Sequence, residues 1–169
     1  MSDELIHDPA LRQSYRFEPT PDVLVMEDIV EPGGGVTPHV HPTMEERFEV
    51  LEGRAEFLSG RRWIRAEKGD KVVVPAGTRH AFRNAGDTTA RIRCEASPPE
   101  TLQAFLTEVA ELSRDGGISH RGLPTSVRAF KRSIAIARRH RDMVELSFPP
   151  APPRPVQRLL FRLVARGQA

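Results

Sequence analysis

Between residues 22 and 97 the chain breaks into eight short runs set apart by glycine- and proline-bearing turns. The runs are Asp22 to Val30, Val36 to His41, Arg47 to Leu51, Arg54 to Leu58, Arg62 to Ala66, Lys71 to Val74, His80 to Arg83 and Ala90 to Ala96. The punctuation includes Pro32-Gly33-Gly34-Gly35, Glu52-Gly53, Ser59-Gly60, Gly69-Asp70, Pro75-Ala76-Gly77 and Asn84-Ala85-Gly86-Asp87. Many short strands at close, regular spacing point to an antiparallel sandwich or barrel. In Ala90-Arg91-Ile92-Arg93-Cys94-Glu95-Ala96 the small and apolar members share one face and the charged members the other. That alternation belongs to a sheet with one buried and one wetted side.

After Ser97-Pro98-Pro99 the period changes. Leu102, Phe105, Leu106, Val109 and Leu112 form a helical stripe that Asp115-Gly116-Gly117 ends. Pro124 is expected to open a second helix with Val127, Phe130, Ile134 and Ala137 as its apolar stripe. Five prolines between Pro149 and Pro155 read as a stiff spacer. A last short helix would carry Val156, Leu159, Leu160, Leu163 and Val164. Charge divides at the same place: residues 1–99 hold 13 basic and 17 acidic side chains, residues 100–169 hold 12 and 6. The expected organisation is a β-barrel domain over residues 1–99, with its core at about 20–97. A helical extension over 100–169 would pack on the barrel or on a dimer interface.

A hydrophobic fraction of 38% in 169 residues fills one core and excludes collagen and wholesale disorder. The single Cys94 excludes an internal disulfide. No apolar run approaches the roughly 20 residues that cross a bilayer, so no stable membrane insertion is expected. The polar start lacks the basic and apolar regions of a signal peptide, and a cytoplasmic location is expected.

The chemistry-bearing residues lie in two segments. His39 and His41 are two apart, so on one strand both imidazoles point to the same side. Pro42 cannot donate to a ladder and should end that strand, after which a carboxylate can come from the start of the next. His80 follows Pro75-Ala76-Gly77-Thr78-Arg79, a turn able to deliver a third imidazole. Three neutral imidazoles and a carboxylate suit one divalent transition metal ion, whether Fe, Mn, Ni, Co, Cu or Zn.

These segments resemble the cupin family. Gly33, His39, His41, Glu46 and Gly53 fill the pattern G-x5-H-x-H-x4-E-x6-G, and Gly69, Pro75, Gly77, His80 and Asn84 fill G-x5-P-x-G-x2-H-x3-N. The resemblance implies a jelly-roll barrel of six to eight strands, mainly β, with a metal held inside by His39, His41, Glu46 and His80. It also implies a small-molecule substrate, oxygenase-type chemistry ahead of isomerase or lyase chemistry, and a homodimer. The alternative from another class is a non-catalytic module that binds or senses a small ligand or a metal. Phe48 and Phe82, two residues beyond Glu46 and His80, are candidate cavity walls, as is Cys94 on its inward face.

Other features have plainer explanations. No Gly-Lys-Ser/Thr follows Gly33-Gly34-Gly35, which reads as a turn. The basic residues Arg128, Lys131, Arg132, Arg138, Arg139 and Arg141 lack aromatic interleaving and read as a solvated face, so no nucleic-acid partner is expected.

Overall fold

The computed structural model describes residues 5–99, 101–120, 122–147 and 155–157. The prolines between 149 and 154 and the apolar positions Leu159, Leu160, Leu163 and Val164 lie outside these residues. Among the described residues, eleven strands form two antiparallel sheets. One sheet has the order β1 (Ile6–Asp8), β2 (Gln13–Pro19), β3 (Leu24–Val30), β10 (Ala90–Ser97), β5 (Glu45–Glu52) and β8 (Lys71–Val74). The other has the order β11 (Glu145–Leu146), β4 (Gly35–Val40), β9 (Arg79–Arg83), β6 (Arg54–Ser59) and β7 (Arg62–Glu67). Helices α1 (Leu102–Arg114) and α2 (Val127–Arg139) stand between β10 and β11 in the chain.

This is a jelly-roll arrangement of mostly antiparallel strands with C-terminal helices, and it has more strands than the six to eight expected. The additions come from outside the punctuated region: β1 and β2 extend one sheet from the N-terminal side, and β11 pairs with β4 in the other.

Inward faces follow the two-residue period. Leu24, Met26, Asp28 and Val30 of β3 are buried, and β10 buries Ala90, Ile92, Cys94 and Ala96 while its charged members reach outward. Facing rows meet through Phe48, Phe57 and Phe82, whose ring centroids lie 5.1 to 6.0 Å apart. Aromatic side chains of this size bring the two sheets together by burying large apolar areas.

Helix α1 buries Leu102, Ala110 and Leu112. Helix α2 differs from the expectation at both its start and its buried face. It starts at Val127 under a Ser126 cap that accepts from the Ala129 N–H, while Pro124 sits in an isolated bridge with Ile118. Its buried residues are Ala129 and Ile136, and Val127, Phe130 and Ile134 of the expected stripe are exposed at 74, 55 and 40%. The small Ala129 lets α2 close on Leu112 of α1, and the helix seats by the face that carries Ala129 and Ile136. No helix among the described residues is long and apolar enough to cross a membrane.

Candidate metal centre

Two close approaches shape the strands that carry the histidines. A Cβ at Gly35 would lie 2.2 Å from the Phe82 carbonyl oxygen, so only glycine lets β4 meet β9 there. Gly77 takes a φ of +76° and donates its N–H to the His41 carbonyl at 2.7 Å, so the turn before His80 clasps the end of β4. Between Val36 and His39 the β4–β9 register slips by one residue, a bulge containing Pro38. Bulges re-aim side chains. Beyond this one His39 and His80 become direct cross-strand partners with ring centroids 4.1 Å apart. Glu46 comes from β5 in the facing sheet.

His39, His41, Glu46 and His80 therefore converge, with one candidate ligand atom from each lying within 4.8 Å of all the others. The Nε2 atoms of His39 and His41 are 3.2 Å apart, and Glu46 lies 3.6 Å from His41 Nε2 and 2.7 Å from His80 Nε2. On the other side of each ring, Nδ1 faces a backbone carbonyl at 2.8 Å: Thr37 for His39, Met143 for His41 and Thr78 for His80. An Nδ1–H donated to each carbonyl fixes the tautomer and turns all three Nε2 lone pairs into the cluster.

With its Nδ1–H committed, neutral His80 presents a lone pair to Glu46 Oε2, and both buried atoms lack a hydrogen-bond donor. Two acceptors 2.7 Å apart need a cation between them, either a proton on Nε2 or a metal ion. Burial opposes charge on His80, but the Glu46 carboxylate outweighs it and raises the imidazole. Burial would likewise raise Glu46; the His80 hydrogen bond and the neighbouring imidazoles prevail and hold it at about 2. Burial, then the His80 and His41 rings, push His39 well below its ordinary value. A carboxylate with two or three neutral imidazoles is a donor set that fits a divalent transition ion.

The cluster opens on a cavity of about 220 Å³. Phe48 and Phe82 line it, together with Met26, Val36 and, from the helical segment, Phe105 and Leu106. Cys94 is not among its walls: the small side chain lies buried behind Glu46, its Sγ 3.9 Å from Oε1, and burial pushes the thiol up. The final residue of the second motif, Asn84, is a staple, donating to the Val30 and Thr88 carbonyls and accepting from Gly86 N–H.

Three contributions went unseen in the sequence. Asp28 and Gln13 are buried polar residues of the cavity wall, and the inward parity of Asp28 with Leu24, Met26 and Val30 could have shown the first. The Met143 carbonyl, 102 residues from His41, leaves no trace in residue type. His120 is exposed, and His140 is buried between the helices, with Nδ1 2.8 Å from Thr101 Oγ1.

Residues 26–94 match the profile of the cupin domain. Polyketide synthase CurC of Streptomyces cyaneus is 42% identical over 92 residues, which span 52% of this chain and 58% of that protein. Protein SchB of Streptomyces halstedii is 33% identical over 95 residues, covering 54% of this chain and 69% of that one. The tetracenomycin polyketide synthase protein TcmJ of Streptomyces glaucescens is 31% identical over 67 residues, 40% and 45% of the two chains. Among solved structures, KdgF from a Halomonas species superposes with a TM-score of 0.53 at 22% identity, covering 59% of this chain and 90% of that one.

Proposed function

As the chain belongs to the cupin family, we propose that it is a metal-dependent enzyme acting on a small organic molecule, with His39, His41, Glu46 and His80 as the ligands of one divalent transition ion. The observation that carries this reading is the set of three imidazoles, each locked by a backbone carbonyl so that Nε2 faces Glu46 at the end of an apolar cavity. An ion bound there supplies Lewis-acid or redox chemistry to whatever group the cavity presents. The chain's own residues do the rest: Phe48, Phe82 and Phe105 keep water from the cavity and pack against an apolar substrate. The Thr37, Met143 and Thr78 carbonyls orient the imidazoles and select the tautomer whose Nε2 faces the cluster. Glu46 offsets part of the cation's charge inside the barrel.

An apolar cavity of this size suits a substrate with a carbon skeleton and few oxygen groups, and the names of two relatives support a polyketide-type molecule. Oxygenase-type conversion is the chemistry we assign. The test is oxygen uptake by protein loaded with iron(II), then with zinc, in the presence of aromatic polyketide-type candidates. Uptake with iron only supports the assignment. Substrate consumption without oxygen uptake replaces it with isomerase or lyase chemistry, and stoichiometric binding without turnover replaces it with a binding module.

We also propose a cytoplasmic homodimer. The outer strand β7 leaves Trp63 and Ile64 exposed at 44 and 42%, a sheet edge available for pairing. Light scattering should give twice 18.9 kDa, and a mass near 18.9 kDa across concentrations would reject the dimer.

A further inference from the structure

The cavity wall contains two buried acceptors that the metal cluster does not use. Asp28 is 1% exposed, and among the described residues its Oδ2 has no hydrogen-bond partner. Gln13 is also 1% exposed, and its Oε1 likewise has none among them. Both side chains line the same cavity as His39, His41, Glu46 and His80. In the β2–β3 register Asp28 pairs with Tyr15 and Gln13 with Val30, so the two polar residues are diagonal neighbours on one inward face. Their surroundings give them nothing: the Tyr15 hydroxyl donates to Asp8, and Asp8 accepts from the Ala10 and Leu11 N–H groups. Met26 and Val30, which flank Asp28 on its inward face, are apolar.

An unpaired buried acceptor destabilises a fold, because it gives up its bond to water without gaining another. Two such acceptors in residues that line one cavity call for an explanation. We propose that Asp28, with Gln13 beside it, is the specificity-determining group of the cavity and hydrogen-bonds a hydroxyl of the bound molecule. A hydroxyl has one proton: it donates to Asp28 when the carboxyl is ionised, and when the carboxyl is protonated it accepts from Asp28 and donates to Gln13 Oε1. Burial, with Glu46 and Glu27 adding to it, raises the Asp28 carboxyl well above its ordinary value. The ligand class is therefore an apolar, ring-sized molecule with a phenolic or alcoholic hydroxyl. This rests on the reading of the cavity as a small-molecule site and is independent of which metal, if any, is bound.

The experiment is calorimetric titration of the full chain, metal-free and zinc-loaded, with 2-naphthol and with naphthalene, which has the same skeleton and no hydroxyl. The wild type should prefer 2-naphthol by about tenfold, the worth of one good buried hydrogen bond. In Asp28→Leu the preference should fall below twofold while naphthalene affinity is kept or improved, and the melting temperature should rise because an orphaned acid is gone. Equal binding of both probes by the wild type, or an unchanged preference in Asp28→Leu, overturns the proposal. Should Asp28→Leu not fold, Asp28→Ala gives the same measurement. Failure of both to fold also overturns it, because Asp28 would then be a support of the barrel. Loss of the metal or of turnover is scored separately, so a failed enzyme assignment leaves the hydroxyl preference to be judged alone.

Discussion

The 2.7 Å contact between His80 Nε2 and Glu46 Oε2 puts the main energetic conflict of the molecule in two side chains. In metal-free protein a proton resolves it, and the pH dependence follows. Glu46 is held at about 2 against an ordinary 4.5, so its contribution to stability is present above pH 4.5 and lost as pH falls toward 2. His80 is raised from 6.5, so its contribution is present below 6.5 and lost as pH rises through its folded value. In the presence of a chelator, the pair should therefore support the fold most between about pH 4.5 and 6.5. Melting temperatures against pH should show this hump in the wild type and its absence in Glu46→Gln; parallel curves would refute the pairing. At this scale the four cluster residues were legible because two complete spacing patterns carried them. Asp28 was hidden inside a run that reads as an ordinary strand, and a carbonyl such as that of Met143 has no side-chain signature at all.

Among the elements, the glycine- and proline-bearing turns marked out the strands from β3 to β10, and in β3 and β10 a strict alternation of buried and outer positions bears them out. Strand β2 was harder, since Gln13-Ser14-Tyr15-Arg16-Phe17-Glu18 buries only two aromatic residues besides a glutamine, too weak a pattern to stand against its polar flanks. Helix α1 faces as its stripe indicated, whereas α2 shows that periodicity gives a helix without giving its partner. The contrast is measurable. Leu112, 1% exposed between the helices, should cost about 2–5 kcal/mol on truncation to Ala. Phe130, 55% exposed, should cost no more than about 0.5 kcal/mol when replaced by Ala. Chemical denaturation would check both, and equal losses would show that α2 seats by the face carrying Phe130 after all.

For the molecule as a whole, the described residues after Pro99 join the core and the cavity. It supplies cavity walls through Leu102, Phe105 and Leu106, a strand paired to β4, and the carbonyl that orients His41. Ser147 ties it further, its N–H donating to Pro38 and its oxygens accepting from Arg79. A chain ending at Pro99 keeps all four cluster residues but loses that carbonyl, and losing such an outer partner typically weakens metal binding about 10- to 100-fold. Titration with a competing chelator should find that loss together with a lower melting temperature, and unchanged values would make the segment an ornament. The cluster also bridges both sheets, so an ion that binds only the folded chain should raise the melting temperature. Elemental analysis of freshly purified protein tests the assignment of that ion most directly. Close to one transition ion per chain is expected in the wild type and in His120→Ala, and almost none in His41→Ala/His80→Ala. Full occupancy in the double variant would contradict it.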